Sequence, residues 1–365
     1  MTAPAAFRVG VVGCGIIARN YVKGAAAFDT FELVACADLD PLAADAFGRE
    51  HRLEVLPLDA LIDHPELDAL LNLTPPAAHA DIIRAGLEAG KHVYTEKPLA
   101  ISLEDGAELV DEARRLGLGL GCAPDTFLGG AYEAARTAIA RGDIGAPLGA
   151  TARILVGGPD GWHPNADTFF AAGAGPMLDM APYYLAAVAS LLGPFAAAAG
   201  FGTTVTEERM LAVGPRAGER FSVVVPTHVA ALLQLRSGGV LSLTVSFEAS
   251  GQYDSALLVH GSEGALELPD ANAFGGKVRI RKGRGRWTNL PYASRGEGET
   301  RGVGLDEMIE ALRAGRPHRA SGELGLHVLE SALAVLQASK EGRTVEIALP
   351  SAELPAPAEA AAYGA

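Results

Sequence analysis

Cysteine is scarce in this chain of 365 residues: Cys14, Cys36 and Cys122 are its only three, an odd number without close spacing. That count excludes a disulfide framework and fits a reducing compartment. No Cys or His pair has the spacing of a structural zinc site, so no metal is expected. Basic charge is also in short supply, 30 Lys and Arg against 44 Asp and Glu, for a formal net charge of -14. Such a field repels phosphate backbones and anionic lipid, which argues against nucleic-acid and membrane partners. Long apolar runs are missing as well. The richest, Tyr184 to Leu192, stops at Gly193-Pro194 and reads as a buried helix rather than a membrane span. The opening MTAPAAFRVGVVGCG has no charged segment leading into a cleavable apolar stretch, so a cytoplasmic location is expected.

What is present is a soluble-protein composition, 49% hydrophobic and 20% charged, long enough for two domains. Up to about residue 125, short apolar runs alternate with helical stretches. Phe7 to Val12, Phe31 to Ala37, Ala69 to Leu73, His92 to Thr95 and Leu118 to Cys122 read as strands; Ile16 to Phe28 and Pro41 to His51 read as helices. Strand-helix alternation with near-continuous apolar strands predicts a doubly wound parallel sheet covered on both faces. Beyond about Pro147 the pattern changes to closely spaced strands (Ala150 to Val156, Phe221 to Val225, Val229 to Leu235, Val240 to Phe247) with turns such as Ser237-Gly238-Gly239. This predicts an α/β domain with a large open mixed or antiparallel sheet. Its helices are expected over Met177 to Leu192, Leu305 to Arg313 and Leu324 to Ser339. The expected organisation is a Rossmann domain over 1–125, a substrate and oligomerisation domain over 126–349, and a loosely ordered Ala-, Pro- and Glu-rich tail over 350–365. The alternating cations Lys277, Arg279, Arg281, Lys282, Arg284 and Arg286 suit a solvated edge hairpin.

The first chemical signal is Gly13-Cys14-Gly15-Ile16-Ile17-Ala18, a GxGxxA fingerprint placed after a strand and opening a helix. Gly13 permits the tight turn, Gly15 permits backbone approach to a pyrophosphate, and Ala18 permits close helix–strand packing. Ile16 and Ile17 open the helix whose free N–H groups favour an anion. Asp38 ends the second strand, where a carboxylate accepts ribose hydroxyls and repels a 2′-phosphate, so NAD is expected over NADP.

Glu96-Lys97-Pro98 supplies a further signature. Together with GVVGCGIIA, NLTPPAAHA, LVHGSEGALEL and the closing helix before GRTVEI, it makes the chain resemble the Gfo/Idh/MocA oxidoreductase family from about Phe7 to about Leu349. The resemblance implies that Lys97 stands beside the nicotinamide and the substrate hydroxyl, with Glu96 near the nicotinamide ribose and Pro98 holding the turn through a cis bond. It also places Thr74, Pro75 and His79 on the nicotinamide side, with His79 read as a neighbour of cofactor phosphate or ribose. A homodimer or homotetramer formed through the open sheet is implied too.

The family commonly carries an Asp and a His four residues apart on a helix of the second domain. The matching stretch here is GAGPMLDMAPYYLAA, in which Asp179 takes the Asp position but Tyr183 stands where the His would be. A phenol titrates near pH 10, far above an imidazole, so Tyr183, Lys97 and His163 all stand as candidate proton acceptors. Trp162 and His163 suit a sugar-binding loop, or equally a structural loop anchored by the tryptophan. Asp125 and Arg153 are further candidates for the pocket. The resemblance therefore implies an NAD-dependent oxidoreductase moving hydride between a secondary hydroxyl of a sugar, polyol or cyclitol and nicotinamide. Two alternatives stand beside it: a redox-neutral glycosidase that uses NAD transiently, and a non-catalytic dinucleotide-binding sensor.

Overall fold

The structure is a computed structural model in which residues 5–293 and 301–348 are described. The expected tail over 350–365 lies outside the described residues. In chain order the first elements are β1 (Phe7–Val12), α1 (Ile16–Ala25), β2 (Phe31–Ala37), α2 (Pro41–His51), β3 (Glu54–Val55), α3 (Leu58–Ile62), β4 (Ala69–Asn72), α4 (His79–Glu88), β5 (His92–Thr95), α5 (Leu103–Leu116) and β6 (Leu120–Cys122). Then follow α6 (Gly130–Ala140), β7 (Pro147–Gly157), α7 (Pro176–Asp179), α8 (Ala181–Leu192), β8 (Phe195–Thr203), β9 (Glu208–Met210) and β10 (Arg220–Ser222). The chain continues through β11 (His228–Leu235), β12 (Val240–Ser246), β13 (Glu248–Gly261), β14 (Gly264–Leu268), β15 (Arg279–Lys282) and β16 (Thr288–Asn289). Last come α9 (Val303–Ala314), α10 (Gly322–Glu341) and β17 (Val345–Glu346). Among the described residues no helix is long and apolar enough to cross a membrane.

By their contacts the residues form two compact units, and the division falls inside α10, between Leu326 and His327. The first comprises residues 5–129 with 301–326. Its six strands pair in parallel in the order β3-β2-β1-β4-β5-β6, the doubly wound arrangement that the alternating pattern predicts. Val9, Val11, Leu70, Leu71 and Val93 are fully or almost fully buried, as central parallel strands require. The return of 301–326 to this unit departs from the expected contiguous domain over 126–349. Its cause is visible in the packing: the first turn of α9 donates the Gly304 N–H to the Asp125 carboxylate at 3.0 Å, and Thr30 Oγ1 donates to Asp306 at 2.6 Å.

The second unit carries a nine-stranded sheet in the order β16-β15-β14-β13-β7-β12-β11-β8-β17. It is mixed, because β7 pairs in parallel with β12 while β13 pairs antiparallel with β7. Strict alternation orients its strands: on β11, Val229, Ala231, Leu233 and Leu235 are buried while Ala230, Leu232 and Gln234 are exposed. One face packs against α7 and α8, and the other, with Phe201 82% and Leu232 54% exposed, is open in the single chain. The expected strand over Phe221 to Val225 is instead β10, half of a separate two-stranded hairpin with β9. The cationic run does form the sheet edge, on β15 and the turn to β16, where Arg281 lies over the Trp287 ring at 5.0 Å.

Candidate active site

In the first unit, β1 runs into Gly13, whose φ of +96° only glycine adopts without strain. A Cβ there would also meet the Leu73 carbonyl at 2.8 Å. Gly15 then caps α1 without any side-chain hydrogen bond, and a Cβ built on it meets nothing within 4 Å. Ile16 is 66% exposed and Ile17 half-buried, while Ala18 is fully buried against the sheet. Uncapped N–H groups beside open space form a cradle that fits a pyrophosphate. At the end of β2, Asp38 Oδ2 accepts the Cys14 N–H at 2.7 Å and Oδ1 accepts the Asp40 N–H at 2.9 Å. The carboxylate is thereby fixed beside the turn with lone pairs to spare for ribose hydroxyls. These residues fit NAD.

A second loop cluster closes around β4 and β5. Asn72, at the end of β4, accepts from Thr74 N at 3.3 Å and Thr74 Oγ1 at 2.7 Å. Pro75 is exposed on the same loop. His79 is 1% exposed; its Nδ1 lies 2.6 Å from Pro98 O and its Nε2 2.8 Å from Thr74 O. Both ring nitrogens are thus occupied by backbone carbonyls, so His79 ties the Thr74 loop to the Glu96-Lys97-Pro98 turn rather than reaching cofactor phosphate or ribose. Burial holds its pKa below the ordinary imidazole value, against the pull of the two carbonyls. The Lys97–Pro98 bond is cis, as the resemblance implies.

Glu96 is buried and fixed by several groups. Tyr21 donates its hydroxyl to Oε1 at 3.0 Å, the Lys97 N–H reaches Oε2 at 3.1 Å, and the Arg301 guanidinium lies 3.7 Å from Oε1. Lys97 follows directly, half-buried. Asp125, expected to line the pocket, is fully buried instead, its Oδ2 satisfying the start of α9. Burial raises the pKa of this carboxyl above the usual range, Arg301 opposing. Asp125 therefore serves the packing of the first unit.

In the second unit, Gly175 at φ +93° turns the chain into α7, which ends at Asp179. The helix expected over Met177 to Leu192 is two helices, because Pro182 occupies the first turn of α8, where its missing N–H costs nothing. Asp179 is half-buried at the break and Tyr183 is 6% exposed one turn on. Tyr184 is the packed aromatic of the pair, its hydroxyl bound to Asp270 at 2.8 Å. Trp162 is 65% exposed, which removes it as the anchor of its loop. The anchor is Arg209, which donates to Asp160 and Glu248 at 2.8 Å each, to Phe247 O at 3.1 Å, and lies over the Phe170 ring at 4.9 Å. On this base the loop stacks edge-to-face from Trp162 to His163 at 5.5 Å and from His163 to Phe169 at 5.0 Å. Arg153 lies on the open sheet face, bidentate to Asp254 at 2.8 and 3.0 Å, away from the face that α7 and α8 cover. Nothing in the local sequence marks Arg209; its role depends on partners that only folding brings to it.

A fold of this kind, with this cradle and turn, defines an NAD-binding oxidoreductase. Residues 7–122 match the oxidoreductase family with the NAD-binding Rossmann fold, and residues 132–267 match the Gfo/Idh/MocA C-terminal domain. The chain is 30% identical to 1,5-anhydro-D-fructose reductase of Ensifer adhaerens, covering 93% of this chain and 98% of that one. It is 27% identical to inositol 2-dehydrogenase of Rhizobium meliloti, covering 93% and 99% respectively. A solved levoglucosan dehydrogenase complex with NADH and levoglucosan superposes with a TM-score of 0.82 at 22% identity, over 94% of this chain and all of that one, a likeness of fold. The chain belongs to the Gfo/Idh/MocA family.

Proposed function

We propose that the chain is an NAD-dependent dehydrogenase that moves hydride between a secondary hydroxyl of a sugar, polyol or cyclitol and nicotinamide. The observation that carries the cofactor half is the Asp38 carboxylate pinned to the Cys14 N–H beside an uncapped α1. The substrate half is supported by the relatives, a reductase of an anhydro sugar and an inositol dehydrogenase.

When bound, NAD supplies the hydride acceptor or donor. The other work falls to the chain. Lys97, carried on a turn braced by Glu96 and His79, takes the hydroxyl proton during oxidation and returns it during reduction. Asp179 accepts a hydrogen bond from a neighbouring substrate hydroxyl and so orients the carbinol carbon. Tyr183 positions the substrate by a hydrogen bond rather than serving as the base. The exposed Trp162 offers an aromatic face to sugar C–H groups, with His163 beside it for a hydroxyl.

The open sheet face, with Phe201 and Leu232 exposed side by side on β8 and β11, is read as the contact between copies of the chain in a homodimer or homotetramer. A cytoplasmic location accords with three free cysteines, all buried.

The test incubates purified protein with NAD and a panel of free sugars, polyols, lactones and chromogenic glycosides, following NADH absorbance and aglycone release together. Net NADH from a free sugar or polyol supports the dehydrogenase. Aglycone release that needs NAD but leaves no net NADH makes the protein a redox-neutral glycosidase, and the proposal fails.

A further inference from the structure

We propose that Tyr253, anchored by Asp270, positions substrate in the second unit by accepting a hydrogen bond from one particular sugar or polyol hydroxyl. This inference rests on the dehydrogenase reading. The pairing of β13 with β7 is regular from Tyr253 to His260, so alternate side chains share a face. Tyr253 therefore lies on the side of Leu257 and Val259, the face that α7 and α8 cover. Leu257 and Val259 are fully buried, yet Tyr253, at the end of the same row, is 59% exposed. A large aromatic left open at the end of an otherwise covered face marks a place for a ligand.

Its hydroxyl is already committed. Tyr253 donates to Asp270 Oδ2, while Oδ1 of that carboxylate accepts from Tyr184 at 2.8 Å and from Asn272 N at 3.0 Å. With its only proton spent on Asp270 and one lone pair engaged by the Asn272 side chain, the phenol oxygen can offer a ligand only its remaining lone pair. It therefore recognises a hydroxyl as a donor, and the exposed ring provides an apolar face for the carbon beside it. The location agrees with this use. Tyr184, which shares the Asp270 carboxylate with Tyr253, is next to Tyr183 on α8. Burial and the bond to Asp270 raise the Tyr253 pKa, against a hydrogen bond from the Asn272 side chain. Tyr253 remains a neutral phenol through the physiological range.

The test compares wild type, Tyr253→Phe and Asp270→Asn in NAD-linked turnover of the sugar panel together with monodeoxy analogues of the best substrate. Loss of one acceptor raises KM about tenfold in Tyr253→Phe while kcat stays within a few-fold. It also abolishes discrimination against the one analogue lacking the recognised hydroxyl, because a site built to bind a hydroxyl rejects the molecule without it. Asp270→Asn changes KM in the same direction, and a melting temperature measured on each variant separates this from unfolding. Unaltered KM and unaltered discrimination in Tyr253→Phe overturn the inference. If wild type turns over no sugar at all, the dehydrogenase reading has failed instead. Calorimetric binding of the same sugars then decides for Tyr253: weaker binding to Tyr253→Phe sustains its role, and equal binding removes it.

Discussion

The Asp38 carboxylate and the Cys14 N–H meet at 2.7 Å, joining the end of β2 to the turn after β1. One acidic side chain thus shapes the cradle and sets its charge. Asn keeps one accepting oxygen for the Cys14 N–H while losing the charge and the oxygen that accepts the Asp40 N–H, so Asp38→Asn removes the charge with the bond to the turn retained. The NADPH affinity of this variant is expected to rise relative to that for NADH by about tenfold, the scale of one removed like-charge contact. Fluorescence titration with each reduced cofactor measures it. An unchanged affinity ratio would mean that Asp38 does not select the cofactor.

Lys97 and Tyr183 are separated by the assignment of the proton. Lys97→Ala is expected to lower kcat by about 10³-fold, within the range for loss of a positioned acid–base group, with NADH binding little changed. Tyr183→Phe, which keeps the buried ring, is expected to retain kcat within about tenfold, since it removes one hydrogen bond rather than the base. Equal losses in the two variants, with the alkaline limb of the pH profile displaced only in Tyr183→Phe, would assign the proton to the phenol.

Much of the first unit is legible in the sequence because its signals are local. Parallel strands buried on both faces announce themselves as apolar runs, and Gly13, Gly15 and Ala18 fall within one strand–turn–helix stretch. The misplaced residues share one cause: at least one partner of each is distant in sequence. His79 looks available until Pro98 O and Thr74 O occupy both its nitrogens. Asp125 follows a strand that ends at the cofactor side, but its carboxylate is drawn inward by Gly304, 179 residues away. Arg153 sits on a strand whose alternation is plain, yet alternation does not say which face the helices will cover. The Tyr253–Asp270 pair escapes notice for the same reason, since nothing local shows that Tyr253 ends a buried row.

Tyr21 braces the Lys97 turn from afar, its hydroxyl donating to Glu96 across 75 residues of sequence. Both groups are buried, so Tyr21→Phe leaves the Glu96 carboxylate one donor short. The expected cost is about 1–3 kcal/mol of stability, read as a loss of several degrees in Tm. Thermal unfolding followed by circular dichroism measures this. A Tm equal to that of wild type would show that Arg301 and the Lys97 N–H hold Glu96 without help.

His327 gives the fold a sensitivity to acid that can be isolated. The residue is 3% exposed, accepts the Phe195 N–H on Nε2 at 3.0 Å, and stacks on the Phe195 ring at a centroid distance of 5.8 Å. Burial, with the positive charge of Arg236 adding to it, lowers its pKa from 6.5 to about 4. The folded state therefore keeps this imidazole neutral where the unfolded chain protonates it. As pH falls below about 6.5 the unfolded state binds the extra proton, so stability present at neutral pH is lost progressively toward the folded-state value. At about 1.4 kcal/mol per pKa unit, the loss between pH 6.5 and 5 is about 2 kcal/mol. His327→Gln retains an acceptor for Phe195 N but cannot titrate. Urea unfolding of both proteins at those two pH values should show wild type losing more stability than the variant by about that amount. His79 and His92 are shifted in the same direction, but both proteins keep them and they cancel in the difference. Parallel pH dependences would mean that His327 titrates alike in the folded and unfolded states, and that its burial does not hold it neutral.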